Sequence, residues 1–211
     1  KPDGTRQVQA APMAFGEAAQ DNAFRASLVT GFVSGWANLG IRMAIVPLLA
    51  VTLAGAGDWS AGAALTAFAV GNAAALVFAG SLSDRIGRKP PIVFGLTITG
   101  LATAVAGFVG GVWLFIGLCA IAGAGAGVFG PAQQAVVADV VGNERSGGKV
   151  TAGFQMAADL GSILGPLAAG AMVDHGGYEV AFGLAGLLCL LSAAQWLPAR
   201  ESNPRGIGAN Q

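Results

Sequence analysis

Two ionisable side chains, Arg42 and Asp159, stand inside long apolar segments of the sequence. A charged group at the centre of a bilayer costs ~2.5 to 3.5 kcal/mol on insertion scales, so such residues usually face a water-filled path or a partner. Each has an amide four residues earlier, Asn38 before Arg42 and Gln155 before Asp159. A spacing of four puts both side chains on one helix face. The pattern predicts two helices that each present a polar stripe to the interior of a bundle.

Three further amides, Asn72, Gln133 and Gln134, lie in other apolar segments and extend this candidate ion and substrate pathway. Counted from the same membrane face at 1.5 Å per residue, Arg42 lies roughly 24 Å along its helix and Asp159 about 14 Å. Because that offset argues against a direct pair, we expect separate tasks. Arg42 would attract an anionic group or a carboxylate from outside this chain, and Asp159 would bind a proton or a substrate cation. The alternative is that these polar groups only hold helices together.

The densest group of charges is the stretch Asp84 to Lys89, which holds one acid and three bases. It separates an uncharged run from Trp59 to Ser83 from a second uncharged run, from Pro90 to Ala138. About 20 apolar residues cross ~30 Å of hydrocarbon, so the first run can cross a bilayer once and the second twice. The charged stretch is therefore predicted to be a short loop at a membrane face.

The composition supports a polytopic membrane protein. Of the 211 residues only 10% are charged and 54% are hydrophobic, and the mean hydropathy is +0.65. The net charge is zero, so no nucleic-acid partner is indicated. Cys119 and Cys189 lie in apolar stretches with no Cys-x-x-Cys spacing and no partner histidine. We expect buried free thiols, no metal site and no cofactor.

Six crossings are predicted, between a polar linker at 1-23 and a polar tail at 198-211. Their approximate bounds are 24-54, 59-82, 90-109, 112-141, 150-173 and 178-197. With this count, every Lys and Arg except Arg42 falls on the side of the two termini. By the positive-inside rule both termini would be cytoplasmic, in a plasma membrane, and Trp59, Trp113 and Tyr178 would mark the outer interface.

The charged loop also carries a family signature. Gly80, Asp84, Arg85, Gly87, Arg88 and Lys89 have the order and spacing of a loop motif of the major facilitator superfamily, and the chain resembles the bacterial drug/proton antiporters of that family. The resemblance implies twelve helices in two halves, each built from two inverted three-helix repeats. The six spans would form one half. The first, second, fourth and fifth would line a central cavity, while the third and sixth would face lipid. The plainer alternative is a basic loop that only orients the protein.

Three stretches bear on which half this is. Gly40 to Leu48 resembles the seventh helix of bacterial members, and Gln155 to Gly161 resembles the eleventh. The stretch Gly161 to Pro166 is instead similar to a Gly-Pro motif in the fifth helix of drug-proton antiporters. Lys1 in place of Met and the linker-like opening favour the second half. The expected partner is then the N-terminal six-helix half, or a second copy.

The resemblance further implies that the stretch from Gly80 to Lys89, here called the Gly80 loop, helps to close the cytoplasmic side. In one conformation its acid would interact with a helix N-terminus and its bases with carboxylates. We expect Glu144 and Arg145 in the next loop to pair with Arg85 or Arg88 and with Asp84. Other residues suit helix bends or close packing, and packing alone is as good an interpretation of them as a hinge. They are Pro47, Pro131, Gly161, Gly165 and Pro166.

Taken together, the sequence predicts a secondary active transporter that moves a small molecule by alternating access, with proton-coupled efflux as the preferred mode. Metabolite uptake by the same fold is an alternative, as is a six-helix structural or regulatory membrane protein. An enzyme is not indicated. The only histidine, His175, falls in a predicted outer loop, and no Gly-x-Ser-x-Gly, His-Glu-x-x-His or Walker motif occurs.

Overall fold

The computed structural model describes residues 13–142, 147–199 and 201, and these are helical for most of their length. The elements are α1 (Phe15–Ala18), α2 (Asn22–Gly35), a π-helical segment (Trp36–Ile45), α3 (Val46–Thr52), α4 (Ser60–Ile86), α5 (Lys89–Ala106), α6 (Val112–Val141) and α7 (Gly148–Gln195). The continuous stretch Asn22–Thr52, here called the first span, and helices α4 to α7 are each long and apolar enough to cross a membrane. Helices suit that setting because they satisfy their own backbone polar groups.

Helix α7 is long enough for two crossings. Its 48 residues would extend ~72 Å as a straight helix, more than twice the hydrocarbon thickness. The helix breaks at Gly177, where φ is 79° and ψ is 178°, a conformation that glycine alone adopts without strain. The break separates a first arm (148–176) from a second arm (178–195). The predicted all-α, membrane-type fold is confirmed.

The helix pairings have the symmetry of a repeat. The first span packs along the first arm of α7, and α4 packs along α6. The repeat relates the first span to α6, α4 to the first arm of α7, and α5 to the second arm. Under this relation each of the two pairings corresponds to the other. The pairing of α5 with α6 likewise maps onto that of the first span with the second arm, where Thr30 Oγ1 and Ser192 Oγ lie 2.8 Å apart. Trp196 Nε1 donates to the same Thr30 oxygen at 2.8 Å, which ties the last segment to the first.

Small residues let the paired helices approach closely. A Cβ on Gly161 would overlap the carbonyl of Phe32, and a Cβ on Gly165 would come 3.0 Å from Gly40 Cα. The α4–α6 pair repeats this contact, because a Cβ on Gly71 would overlap the carbonyl of Ala120. Gly161 and Gly165 therefore lie in a packed helix seam.

The proline positions have different local consequences. Pro131 lies inside α6 and Pro166 inside α7, and neither ends its helix. Pro47 follows the π-helical segment and occupies the first turn of α3. A proline in a helix lacks the donor for the residue four earlier and its ring crowds that carbonyl, so the regular α-helix before Pro47 gives way to wider turns.

The two ends of the bundle differ in character. At one end the chain segments between spans lie together: Ala54 N donates to Gly110 O at 2.9 Å, and the rings of Trp59 and Trp113 have centroids 5.2 Å apart. Beneath them a core cluster surrounds the edge-to-face pair Phe115 and Phe182. The opposite end carries α1 and the charges of the Gly80 loop, and is called the charged end below.

Candidate functional site

A groove of about 840 Å³ runs along one side of the bundle. Its walls come from the first span, α4, α6 and the first arm of α7, and neither α5 nor the second arm of α7 contributes a lining residue. Five of the seven predicted pathway residues lie in these walls: Arg42, Asn72, Gln133, Gln134 and Gln155. Residues that are far apart in the sequence thus converge on one open surface.

Among the described residues that line the groove, Arg42 is the only charged one. Its guanidinium carbon lies 4.0 Å from the centroid of the Phe68 ring on α4, a cation–π arrangement. Within the described part of the chain, Arg42 takes part in no ion pair. The positive charge is therefore held in place by an aromatic face while its polar edge stays available to a ligand.

The predicted amides divide into two kinds. Gln133 is only 3% exposed and its Nε2 donates to Ser27 O at 3.1 Å, which joins α6 to the first span. Gln134 and Gln155 are exposed along the groove, and Asn72 is half-buried. The contact of Gln133 serves helix packing, whereas the other three amides offer hydrogen bonds to the groove.

Asp159 lies one helical turn beyond Gln155, whose Nε2 donates to Asp159 Oδ1 at 3.1 Å. Its side chain is exposed and does not form part of the groove wall. No ion pair joins Asp159 to Arg42 among the described residues, as the offset along their helices predicts. Asn38 belongs to the π-helical segment, but its side chain lies outside the described part.

At the charged end, Arg88 is the centre of a small ionic cluster. Its Nη1 lies 2.6 Å from Asp84 Oδ1 and its Nε lies 3.2 Å from Asp139 Oδ2 on α6. Partial burial disfavours the charged guanidinium, but the hydrogen bonds and negative charges of Asp84 and Asp139 outweigh that effect. The pKa of Arg88 is therefore raised above its ordinary value. Arg88 stays protonated at every physiological pH.

Glu201, from the segment after α7, caps the N-terminus of α5. Its carboxylate accepts from the backbone N–H of Arg88 at 2.8 Å and from that of Lys89 at 3.1 Å. A carboxylate at a helix N-terminus satisfies free donors and interacts favourably with the helix dipole. Gly87 leaves room for it: its φ is 95°, and a Cβ there would lie 2.7 Å from Glu201 Oε2.

Lys89 makes the reciprocal contact. Its Nζ donates to the carbonyls of Leu197 and Ala199 at 2.6 and 3.1 Å, just beyond the end of α7. A cation is favourable at a helix C-terminus, where carbonyls lack intrahelical partners. Thus Gly87, Arg88 and Lys89 each have a distinct structural contact in this loop.

Only Gly87 and Arg88 lie between α4 and α5, so the predicted loop from Asp84 to Lys89 is shorter than expected. The remaining residues of the signature are less enclosed. Gly80 is exposed, and a Cβ there would meet nothing within 4 Å. Arg85 is also exposed, at the end of α4. Glu144 and Arg145, the predicted partners in the next loop, lie outside the described residues.

Several residues of these two sites were missing from the sequence-based prediction. In the groove they are Ser34, Phe68 and Phe129, because an apolar or hydroxyl side chain in a membrane span gives no signal of its own. At the charged end they are Asp139 and Glu201. Asp139 could have been found as the acid that ends the long uncharged run, whereas Glu201 is brought to α5 only by the folding of α7.

The chain is similar to a known protein family and to several of its members. The model of the Major Facilitator Superfamily matches residues 27–211. The chain is 32% identical over 149 residues to the uncharacterized MFS-type transporter Rv1250 of Mycobacterium tuberculosis. The matched region covers 69% of this chain and 25% of that protein. It is 31% identical to the multidrug resistance protein MdtH of Enterobacter sp. over 43% of this chain and 22% of that one.

Two further similarities extend this set. The triacylglyceride transporter Rv1410c of Mycobacterium tuberculosis is 35% identical over 49% of this chain and 20% of its own length. The crystal structure of peptide transporter POT in complex with sulfate superposes with a TM-score of 0.72 at 20% identity, covering 90% of this chain and 39% of that one. The chain thus matches a fifth to a quarter of the length of these curated relatives.

Proposed function

Because the chain belongs to the major facilitator superfamily, a family of transporters, we propose that it is one six-helix half of a secondary active transporter that exports a small molecule by alternating access. The observation that carries this proposal is the groove: four segments converge on it and present Arg42, Asn72, Gln134 and Gln155. In transporters built from such repeats, substrate binds near the membrane midplane between the two halves. The groove would then be this half's share of the central cavity.

The second half of the cavity is proposed to come from a further six-helix half or from a second copy. The groove supports this, because polar groups exposed towards lipid would be costly. Exposed Gln134, Gln155 and Asp159 need a partner surface or water on that side. The similarity to the seventh and eleventh helices of bacterial members favours an N-terminal half as this partner.

Export rather than uptake is proposed because one similar protein is named a multidrug resistance protein. Coupling to protons is proposed for Asp159, the acidic residue of the membrane-spanning segments that lies beside the groove amide Gln155. Proton binding at Asp159 in one conformation and release in the other would link a proton gradient to substrate movement. Asp159 would be neutral when protonated, and its hydrogen bond from Gln155 would then be weaker, because the acceptor would no longer be charged.

The test uses the full reading frame that contains this chain, expressed in a host whose own efflux pumps are deleted. Efflux of a panel of dyes and drugs is measured with and without a proton gradient. We expect Asp159→Asn to abolish gradient-driven efflux, while Asp159→Glu retains it. Gln195→Leu, at an exposed site near the end of α7, is the matched control and should transport normally. Unaltered pH dependence of transport in Asp159→Asn would exclude the proton role.

The orientation is also a proposal. The basic residues of the charged end favour the cytoplasmic side of a plasma membrane, with both termini there. A reporter that fluoresces only in the cytoplasm, fused after Gln211, should be active. An active periplasmic alkaline phosphatase at the same site would reverse the orientation and assign the charged end to the outer face.

A further inference from the structure

Behind the groove lies a second, enclosed space, here called the side pocket, with a volume of about 60 Å³. A water needs roughly 15 Å³ measured in this way, so the pocket has room for about four water-sized groups. Its walls are mostly apolar and include Leu96 and Ala102 of α5 and Phe182 of the second arm of α7. These two elements contribute nothing to the groove, so the side pocket has walls of its own.

The side pocket and the groove share part of their walls. Five residues line both: Ser34, Arg42, Phe68, Ala126 and Phe129. Arg42, stacked on Phe68, places a cation in this shared wall.

The polar side chains that line only the side pocket are Thr99, Thr103, Cys119 and Cys189. Thr99 Oγ1 donates to the carbonyl of Ala122 at 3.1 Å. Cys119 and Cys189 are free, buried thiols that behave as small apolar side chains. Apolar cavities accept apolar guests. The chemistry therefore changes from the Arg42 cation, in the wall shared with the groove, to a mostly apolar wall behind it.

From this arrangement we infer that the side pocket receives the apolar end of an amphipathic organic anion, whose anionic head lies in the groove against the Arg42 guanidinium. The inference rests on the proposed role of the groove as a substrate path and adds the class of substrate to it. The head accepts hydrogen bonds from the guanidinium, and the short alkyl chain behind it displaces no satisfied polar group.

The experiment is equilibrium binding to the full-length protein in detergent, with radiolabelled hexanoate displaced by straight-chain carboxylates of four to ten carbons. Each methylene that enters the side pocket should raise affinity about fourfold, the factor that ~0.8 kcal/mol gives. Affinity should stop rising once the pocket is full. Alkylammonium ions of equal chain length serve as the charge-reversed control, and they should compete at least tenfold less well.

Two variants separate the head from the chain. Arg42→Gln should weaken every carboxylate by a similar factor, while Arg42→Lys keeps most of the affinity. Ala102→Leu fills the side pocket from α5 without touching the groove, so short carboxylates should bind as before and the gain with chain length should be lost. Ala194→Leu, exposed on the second arm of α7, is the matched control. Thermal unfolding of each variant verifies that it is folded.

A wild-type protein whose affinity does not depend on chain length would overturn the inference, and this arm needs no variant. Equal competition by alkylammonium ions would also overturn it, because binding would then follow partition into detergent. Normal binding together with failed transport in Asp159→Asn and Asp159→Glu alike would count against the proposed function alone. Retained efflux without any carboxylate binding would count against the inference alone.

Discussion

The two arginines that the structure places in polar sites, Arg42 and Arg88, are stabilised in opposite ways. Arg88 contacts the carboxylates of Asp84 and Asp139 at 2.6 and 3.2 Å. Arg42 contacts an aromatic ring and, among the described residues, no carboxylate. An arginine that is already paired with two carboxylates has few free donors for a ligand. An arginine that contacts only a ring face can still bind an anion. The contrast separates a structural cluster from a candidate binding site.

The surroundings repeat this contrast. At the charged end, Glu201 and Lys89 satisfy the backbone ends of α5 and α7. In the groove, the exposed amides Gln134 and Gln155 line the wall. Satisfied polar groups hold helix ends in place, and open polar groups are kept where a ligand or a second half can meet them.

The largest effect is expected from the seam that holds the groove walls together. Gly161→Ala places a methyl group against the carbonyl of Phe32, whereas at Gly170 a Cβ would meet nothing within 4 Å. We expect Gly161→Ala to lower the free energy of unfolding by about 1–3 kcal/mol, as overpacking does. Gly170→Ala should change it by less than about 0.5 kcal/mol. Thermal unfolding of the two full-length variants in detergent measures the difference, and equal stabilities would exclude the seam as a support of the groove.

The next effect tests the two arginines directly. Arg88→Met leaves two carboxylates without their shared cation and should cost on the order of 1–3 kcal/mol of unfolding free energy. Arg42→Met loses a cation–π contact worth about 0.5–1 kcal/mol but no ion pair, so its stability loss should be smaller and its transport loss complete. Unfolding and efflux are measured on both. A stability loss at Arg42 as large as that at Arg88 would mean that Arg42 also serves structure.

A smaller effect is expected where Glu201 binds the start of α5. Glu201→Gln keeps an acceptor but removes the charge, so it should cost about 0.5–1 kcal/mol at low salt, and less at 1 M salt where dipole interactions are screened. Glu179→Gln is the control, because that carboxylate is exposed and its residue lies beside Gly107, at the end of α5 rather than at its start. A salt-independent loss would indicate that the shape of the side chain matters rather than its charge.

The smallest stability effect should follow Asp84→Asn. The Asp84 side chain is 68% exposed and pairs with Arg88 one helical turn away, an arrangement typically worth about 0.3–0.5 kcal/mol. If the loop closes one face of the transporter, transport should fall much more than stability. Unchanged transport in Asp84→Asn would instead support the alternative in which this loop only orients the chain in the membrane.

Much of the groove could be predicted from the sequence. The charge-free runs predicted the helices, and the loop signature predicted the family. The polar residues within the apolar runs predicted five of the residues that line the groove. The prediction did not distinguish Gln133, which packs helices, from Gln134, which faces the groove. Neighbours along a helix differ by about 100° in direction, and only the position of the next helix decides which of them is enclosed.

The charged end marks a different limit. The sequence predicted that Arg85 or Arg88 would pair with Glu144, which lies outside the described residues, and it omitted Asp139 and Glu201. The residues that contact Arg88 and the start of α5 are 51 and 113 positions away. Local spacing carries no information about contacts across such distances.

By itself the sequence determined that the chain is helical and membrane-spanning, and which residues carry costly charge, because these follow from apolar run length and from transfer free energies that act residue by residue. Only the tertiary structure decided which polar groups are paired and which stay open, and only it produced the side pocket behind Arg42. Those properties depend on how closely helices approach, and that approach is set jointly by small residues on two separate segments, such as Gly161 against Phe32.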